Sequence, residues 1–151
     1  MKLEPLYDVH VDLKDPVEVG AGPFGVRRII DIIGGTVDGP RLKGRVLPSG
    51  ADWLLVTGDG VSRLSVRATV LTGDGAYIYL DYPGIAVLPP EAGAKFMRGE
   101  AIDYGEGYFM TTPRFETGDH RYAWLNAVVV VAEGRLGPGR VEFRAYHVVN
   151  G

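Results

Sequence analysis

A chain of 151 residues, 46 % hydrophobic and 23 % charged, holds one domain with enough apolar material for a substantial core. A net charge of −3 supplies no basic excess to neutralise phosphates, which argues against nucleic acid as a partner. With no cysteine, disulfides, thiolate metal sites and a cysteine nucleophile are excluded. No run of about 18 apolar residues spans a membrane. The opening MKLEPLYDVHVDLKDP has no uninterrupted apolar stretch of the signal-peptide kind, so a cytoplasmic protein is expected.

In chain order, short apolar runs separated by glycine and proline predict strands near 3–12, 26–37, 41–48, 52–57, 63–72, 75–82, 107–112, 121–132 and 140–149. Gly34-Gly35 is expected to kink one strand, and Asp38-Gly39-Pro40 to turn it into the next. Pro48-Ser49-Gly50 reads as a further turn that sends Asp52 and Trp53 into the following strand together. TGDGV (57–61) and TGDGA (72–76) read as hairpin turns, and EGRLGPGR (133–140) closes a third hairpin. Only 88–102 carries a helix signal, opened by Pro89-Pro90 and Glu91. Many strands and few covering helices predict an all-β fold over 1–151, an antiparallel β-barrel of about 8–10 strands with at most one short helix. A two-sheet sandwich is the alternative.

Several strands carry one apolar face and one mixed face. Leu64, Val66, Ala68 and Val70 oppose Arg63, Ser65, Arg67 and Thr69; Ile78, Leu80 and Tyr82 oppose Tyr77, Tyr79 and Asp81. Over 121–132, Tyr122, Trp124 and Asn126 share a side; over 140–149, Arg140, Glu142, Arg144 and Tyr146 oppose Val141, Phe143, Ala145 and His147. Two geometries fit: the mixed faces meet water, or they line a lumen where Arg, Tyr and Trp make a ligand cavity.

No phosphate-binding glycine loop, dinucleotide fingerprint or nucleophile elbow is present. His10, His120 and His147 lack ligand-like spacing, so no metal site is assigned. Asp52 either bonds turn amides or acts as a general acid or base, with desolvation beside Trp53 raising its pKa. Arg67, in mid-strand, calls for a carboxylate, phenol or anionic ligand if it faces a lumen. Arg114 and Glu116 flank the break at Pro113 and read as a loop ion pair or as pocket residues.

Three blocks, GGTVDGPRLKGRVLPSGADW, LSVRATVLTGDGAYIYLDYPG and YFMTTPRFETGDHRYAWLNAVVVVAEGR, resemble the domain-of-unknown-function family 3237 (uncharacterised protein family 0311), in the family's order and over nearly the whole chain. The resemblance implies a single-domain antiparallel barrel that self-associates into a homo-oligomer and uses no known metal or nucleotide cofactor. It also implies a tie to aromatic-compound or secondary metabolism, with cofactor-independent cyclisation, addition, isomerisation or elimination. Carried over by position, it points to Asp52, Trp53, Arg67, Tyr79, Arg114, Phe115, Tyr122, Trp124 and Asn126 as pocket residues. The mixed faces suggest roles for them: Asp52, Arg67 and Tyr79 are the catalytic candidates, and Trp53, Tyr108, Arg114, Phe115, Tyr122, Trp124 and Asn126 the substrate-binding candidates. In that scheme Asp52 moves a proton, Arg67 with Tyr79 or Tyr108 stabilises an enolate or phenolate, and Trp53, Phe115 and Trp124 stack on a small-molecule ligand. A lipocalin-like binding protein without catalysis, and a structural or assembly protein, remain as alternatives.

Overall fold

Alternating inward and outward side chains run through ten strands, and the computed structural model, which describes residues 1–151, shows how they close. The strands are β1 (Lys2–Leu13), β2 (Val17–Gly22), β3 (Gly25–Asp38), β4 (Lys43–Val56), β5 (Ser62–Thr72), β6 (Tyr77–Val87), β7 (Tyr108–Thr111), β8 (Arg114–Glu116), β9 (Val130–Gly137) and β10 (Arg140–Val149). The helix α1 (Pro90–Met97) follows β6, and a 3-10 helix (His120–Ala127) precedes β9. All pairings are antiparallel, in the order β1-β10-β9-β7-β6-β5-β4-β3, and a ladder between β1 and β3 joins the ends. That ladder makes the fold a closed barrel rather than a sandwich. β2 extends the sheet beyond β3, and β8 pairs only with β6.

β5 shows which face is which: Val66, Ala68 and Val70 are buried, while Arg63, Ser65 and Arg67 are exposed. The apolar faces fill the lumen and the mixed faces look outward. An eight-stranded barrel has an interior only wide enough for side chains or one small ligand. Both ends are defined by the turns. The turns at 57–61 and at Pro138-Gly139 lie at one end with α1. The turn at 72–76, the β3–β4 connection and the 3-10 helix lie at the other, where Leu42, Ile78, Leu125, Val70 and Val130 pack almost without exposure. The two Thr-Gly-Asp-Gly turns repeat one device: the Thr hydroxyl donates to the Asp carboxylate, at 2.5 Å for Thr57–Asp59 and 2.6 Å for Thr72–Asp74. No helix is long and apolar enough to cross a membrane.

The structure corrects the sequence reading in three places. The predicted strands 41–48 and 52–57 are one strand, β4, and Pro48-Ser49-Gly50 is a bulge within it. Gly50 makes this possible, with φ at 94° and an ideal Cβ position only 2.1 Å from the Arg67 carbonyl oxygen across the ladder. The predicted strand 121–132 starts only at Val130. Before it, Asp119 caps the 3-10 helix by accepting from the Arg121 amide at 2.9 Å, and Leu125 drops into the barrel end. Finally, β2 and β8 lie outside the predicted set: the VEVGAG segment buries neither face, and β8 has only three residues after Pro113. Gly50→Ala is expected to lower stability by more than about 2 kcal/mol in urea unfolding, because it adds both strain and a backbone clash. A change below about 0.5 kcal/mol would contradict the bulge geometry.

Candidate functional site

Inward side chains do not fill the lumen evenly. Towards the α1 end they leave a cavity of about 350 Å³ whose mouth is ringed by Lys14, Asp15 and Pro16, the β9–β10 turn and Phe96 of α1. Deeper in lies a second space of about 30 Å³. Val11, Ile32, Tyr82 and Phe143 line both, so the two spaces adjoin along these side chains. Two glycines hold the inner wall open. A Cβ on Gly84 would fall 2.8 Å from Thr111 Cγ2, and one on Gly134 2.8 Å from the rings of Phe109 and Phe143.

Asp52 lies on this wall, opposite Ile30 on β3 and Val66 on β5, among aliphatic side chains. Its Oδ1 accepts a hydrogen bond from the Ser65 amide at 3.0 Å. Burial pushes its pKa up to about 6, against the opposing effects of the Ser65 bond and the Arg27 charge. Such a carboxyl is mostly ionised at neutral pH yet basic enough to take a proton. Arg27 itself donates to the Trp53 carbonyl at 2.8 Å. At the rim, Arg28 Nε donates to Glu18 at 2.9 Å.

Two phenols stand deeper. Burial pushes the Tyr7 hydroxyl far above its usual range; on Tyr82, the charges that Tyr7 and Asp52 would carry add to the effect of burial. Both remain neutral at physiological pH. Their rings are wedged edge to face, Tyr7 against Phe115 at 6.2 Å and Tyr82 against Phe143 at 6.0 Å, and Phe143 in turn meets Phe109 at 5.2 Å. Thr111 Oγ1 is buried without a hydrogen-bond partner. An orphan hydroxyl costs stability, so Thr111→Val is expected to raise stability by about 1 kcal/mol, read as a higher unfolding midpoint. A loss of stability would show that the hydroxyl is satisfied.

The family profile described as Protein of unknown function (DUF3237) matches residues 1–148. The chain belongs to the DUF3237 family. Among its relatives, the UPF0311 protein RPA1785 of Rhodopseudomonas palustris is 35 % identical over 95 % of this chain and 94 % of its own. The UPF0311 protein blr7842 of Bradyrhizobium diazoefficiens is 37 % identical over the same shares. The crystal structure of RPA1785 superposes with a TM-score of 0.91, covering 99 % of both chains. A β-barrel-like protein of Acinetobacter baumannii, 40 % identical, superposes at 0.83 over 97 % of this chain and 94 % of its own. An enzyme from Penicillium herquei shares the fold at a TM-score of 0.72 and 18 % identity, over 98 % of this chain and 94 % of its own.

The DUF3237 barrel brings few of the sequence-predicted residues together. Asp52 faces the cavity. Phe115 is buried below it and supports Tyr7. Strand alternation turns Trp53 away from Asp52 to the outer wall, where the Arg67 guanidinium sits 5.3 Å from its ring centroid. Arg67 therefore finds its partner outside the lumen. Tyr79 and Tyr108 are exposed on the outer wall, and Arg114 stands 3.7 Å from Asp81 there. At the far end, the Tyr122 hydroxyl donates to Asp74 at 2.9 Å, and Trp124 lies under Arg41 at 3.6 Å. Asn126 bonds the Thr117 backbone twice, at 2.8 and 2.9 Å. These three secure the 3-10 helix. The placement corrects a pocket built from the mixed faces: those faces gain stability from cation–π and ionic pairs in the outer shell. The sequence reading missed Tyr7 and Thr111 and placed Tyr82 on a face without a role. The available signal was a hydroxyl-bearing aromatic on an otherwise apolar face, Ile78-Leu80-Tyr82.

Proposed function

We propose that the lumen binds a small aromatic or polyketide-like molecule and that Asp52 acts on it as a base. The reaction is a cyclisation, addition, isomerisation or elimination that begins with loss of a proton. The carboxylate takes an acidic C–H or O–H proton from the ligand, and the apolar wall keeps water from competing for it. One observation carries this reading: the half-buried Asp52 carboxyl stands on the aliphatic wall of a ligand-sized cavity, where desolvation pushes its pKa up to about 6. A passive carrier of apolar ligands gains nothing from burying an ionisable group. The fold shared with the Penicillium herquei enzyme is compatible with catalysis, although one fold hosts many functions.

The test is incubation with a panel of small aromatic ketones and phenols, followed by mass spectrometry and NMR of the recovered compounds. The proposal predicts at least one altered compound whose formation requires Asp52. Recovery of every bound compound unchanged would favour a binding protein instead.

A further inference from the structure

The base accounts for only one of the polar groups on the lumen wall. Tyr7, Tyr82 and Thr111 line the small inner space and are 6 %, 8 % and 2 % exposed. Thr111 Oγ1 has no partner, and no protein hydrogen bond holds either phenol. Buried polar groups are normally satisfied, so the Thr111 hydroxyl, with two phenol-bearing residues lining the same apolar space, calls for a partner from outside the chain. The inner space of about 30 Å³ accepts one oxygen-sized group, not a whole ligand. The aromatic contacts of Tyr7 and Tyr82 hold the phenols in place, so donation to that group needs no rearrangement.

We propose that Tyr7, Tyr82 and Thr111 form a receptor for one acceptor oxygen of the ligand, a ketone or quinone carbonyl, while the ligand's apolar body fills the larger cavity. The register supports this division. Asp52 pairs with Val66, and Val66 with Tyr82, so the carboxylate and the phenol belong to one rung of the inner wall, two strands apart. That is a separation of about 10 Å at the backbone, room for a planar group between them. A carbonyl compound held there presents its oxygen to the phenols and its α-carbon towards the carboxylate. When Asp52 takes the α-proton, the C–H electron pair forms the C=C bond of an enolate. The negative charge moves to the oxygen, where neutral donors stabilise it. Where the ligand is a β,γ-unsaturated ketone, return of the proton from Asp52 to the γ-carbon re-forms the C=O bond and moves the C=C bond into conjugation, an isomerisation with nothing consumed.

This inference rests on a ligand-filled lumen but not on turnover. Its test compares two probes of nearly equal shape, 2-acetylnaphthalene and 2-isopropenylnaphthalene, which differ by C=O against C=CH₂. Calorimetric titration of the full chain is expected to show about a tenfold preference for the ketone. Tyr82→Phe and Thr111→Val each shrink the preference and leave the hydrocarbon's affinity unchanged. The carbonyl stretch of bound ketone, lowered in the wild type, moves back up in Tyr82→Phe. Equal affinities, a preference that survives both substitutions, or no binding of either probe would overturn the proposal; a water held permanently in the inner space gives the first of these results. Asp52→Asn separates the two readings. Loss of turnover with the ketone preference intact supports both, and absence of turnover in the wild type with the preference intact removes only the catalytic one. Loss of the preference in Asp52→Asn would overturn the assignment to the tyrosines.

Discussion

With Asp52 as the proposed base, replacing it by asparagine is expected to lower turnover by more than about a hundredfold and to leave the barrel folded. Asparagine matches aspartate in size, and its Oδ1 can still accept from the Ser65 amide, so the β4–β5 ladder loses nothing. What disappears is the proposed base. In the wild type, kcat/KM is expected to rise as pH increases through about 6, because the proposed base acts as the ionised carboxylate and burial moves its titration there. Arg67→Met is the contrasting variant. Arg67 stacks on Trp53 outside the lumen, so its loss leaves turnover within about twofold of the wild type. Near-normal turnover in Asp52→Asn, or an inflection near pH 4, would remove Asp52 from the mechanism.

The same carboxyl makes stability depend on pH in an unusual direction. Its pKa is about 6 in the folded chain and 3.8 in the unfolded one. A raised folded-state pKa means that the folded state binds the proton more tightly. The group's contribution is fully present below the unfolded value and is lost as pH rises through the folded one. Between pH 4 and 7 the wild type should therefore lose about 2 kcal/mol relative to Asp52→Asn, which carries no titrating group there. Other carboxyls act in the opposite sense: hydrogen bonds from Thr57, Thr72, Arg121 and Arg135 hold Asp59, Asp74, Asp119 and Glu142 below their usual values. Subtracting the variant's urea-unfolding curve from the wild type's at each pH isolates Asp52 from them. A difference independent of pH would show that Asp52 is as well solvated in the barrel as in the unfolded chain.

The sequence made some of this architecture legible and hid the rest for definable reasons. Hairpin turns such as Thr72–Ala76 were readable because their chemistry is local: a hydroxyl, a carboxylate and a glycine within five residues. Strand faces were readable from alternation, but alternation does not say which face is inside. Arg67 over Trp53 and Arg41 over Trp124 give the outer wall the composition of a binding pocket, and the pairs that stack there are distant in sequence. Asp52 stood out in the sequence through its neighbours Gly50 and Trp53, although Gly50 makes a bulge and Trp53 points the other way. Thr111 could not be singled out, because its significance lies in the partner it lacks, and that appears only once β7 packs against β6 and β9.

The proposed chemistry of the lumen depends on the state of one carboxyl inside the barrel. The most direct measurement is the pH titration of the Asp52 side-chain carboxyl carbon by ¹³C NMR, assigned by its absence in Asp52→Asn. A midpoint near 6 is the predicted result, the mark of a carboxyl desolvated on the lumen wall. A midpoint at the ordinary 3.8 would contradict it, since a water-exposed Asp52 is neither buried in a ligand cavity nor suited to act as a base there.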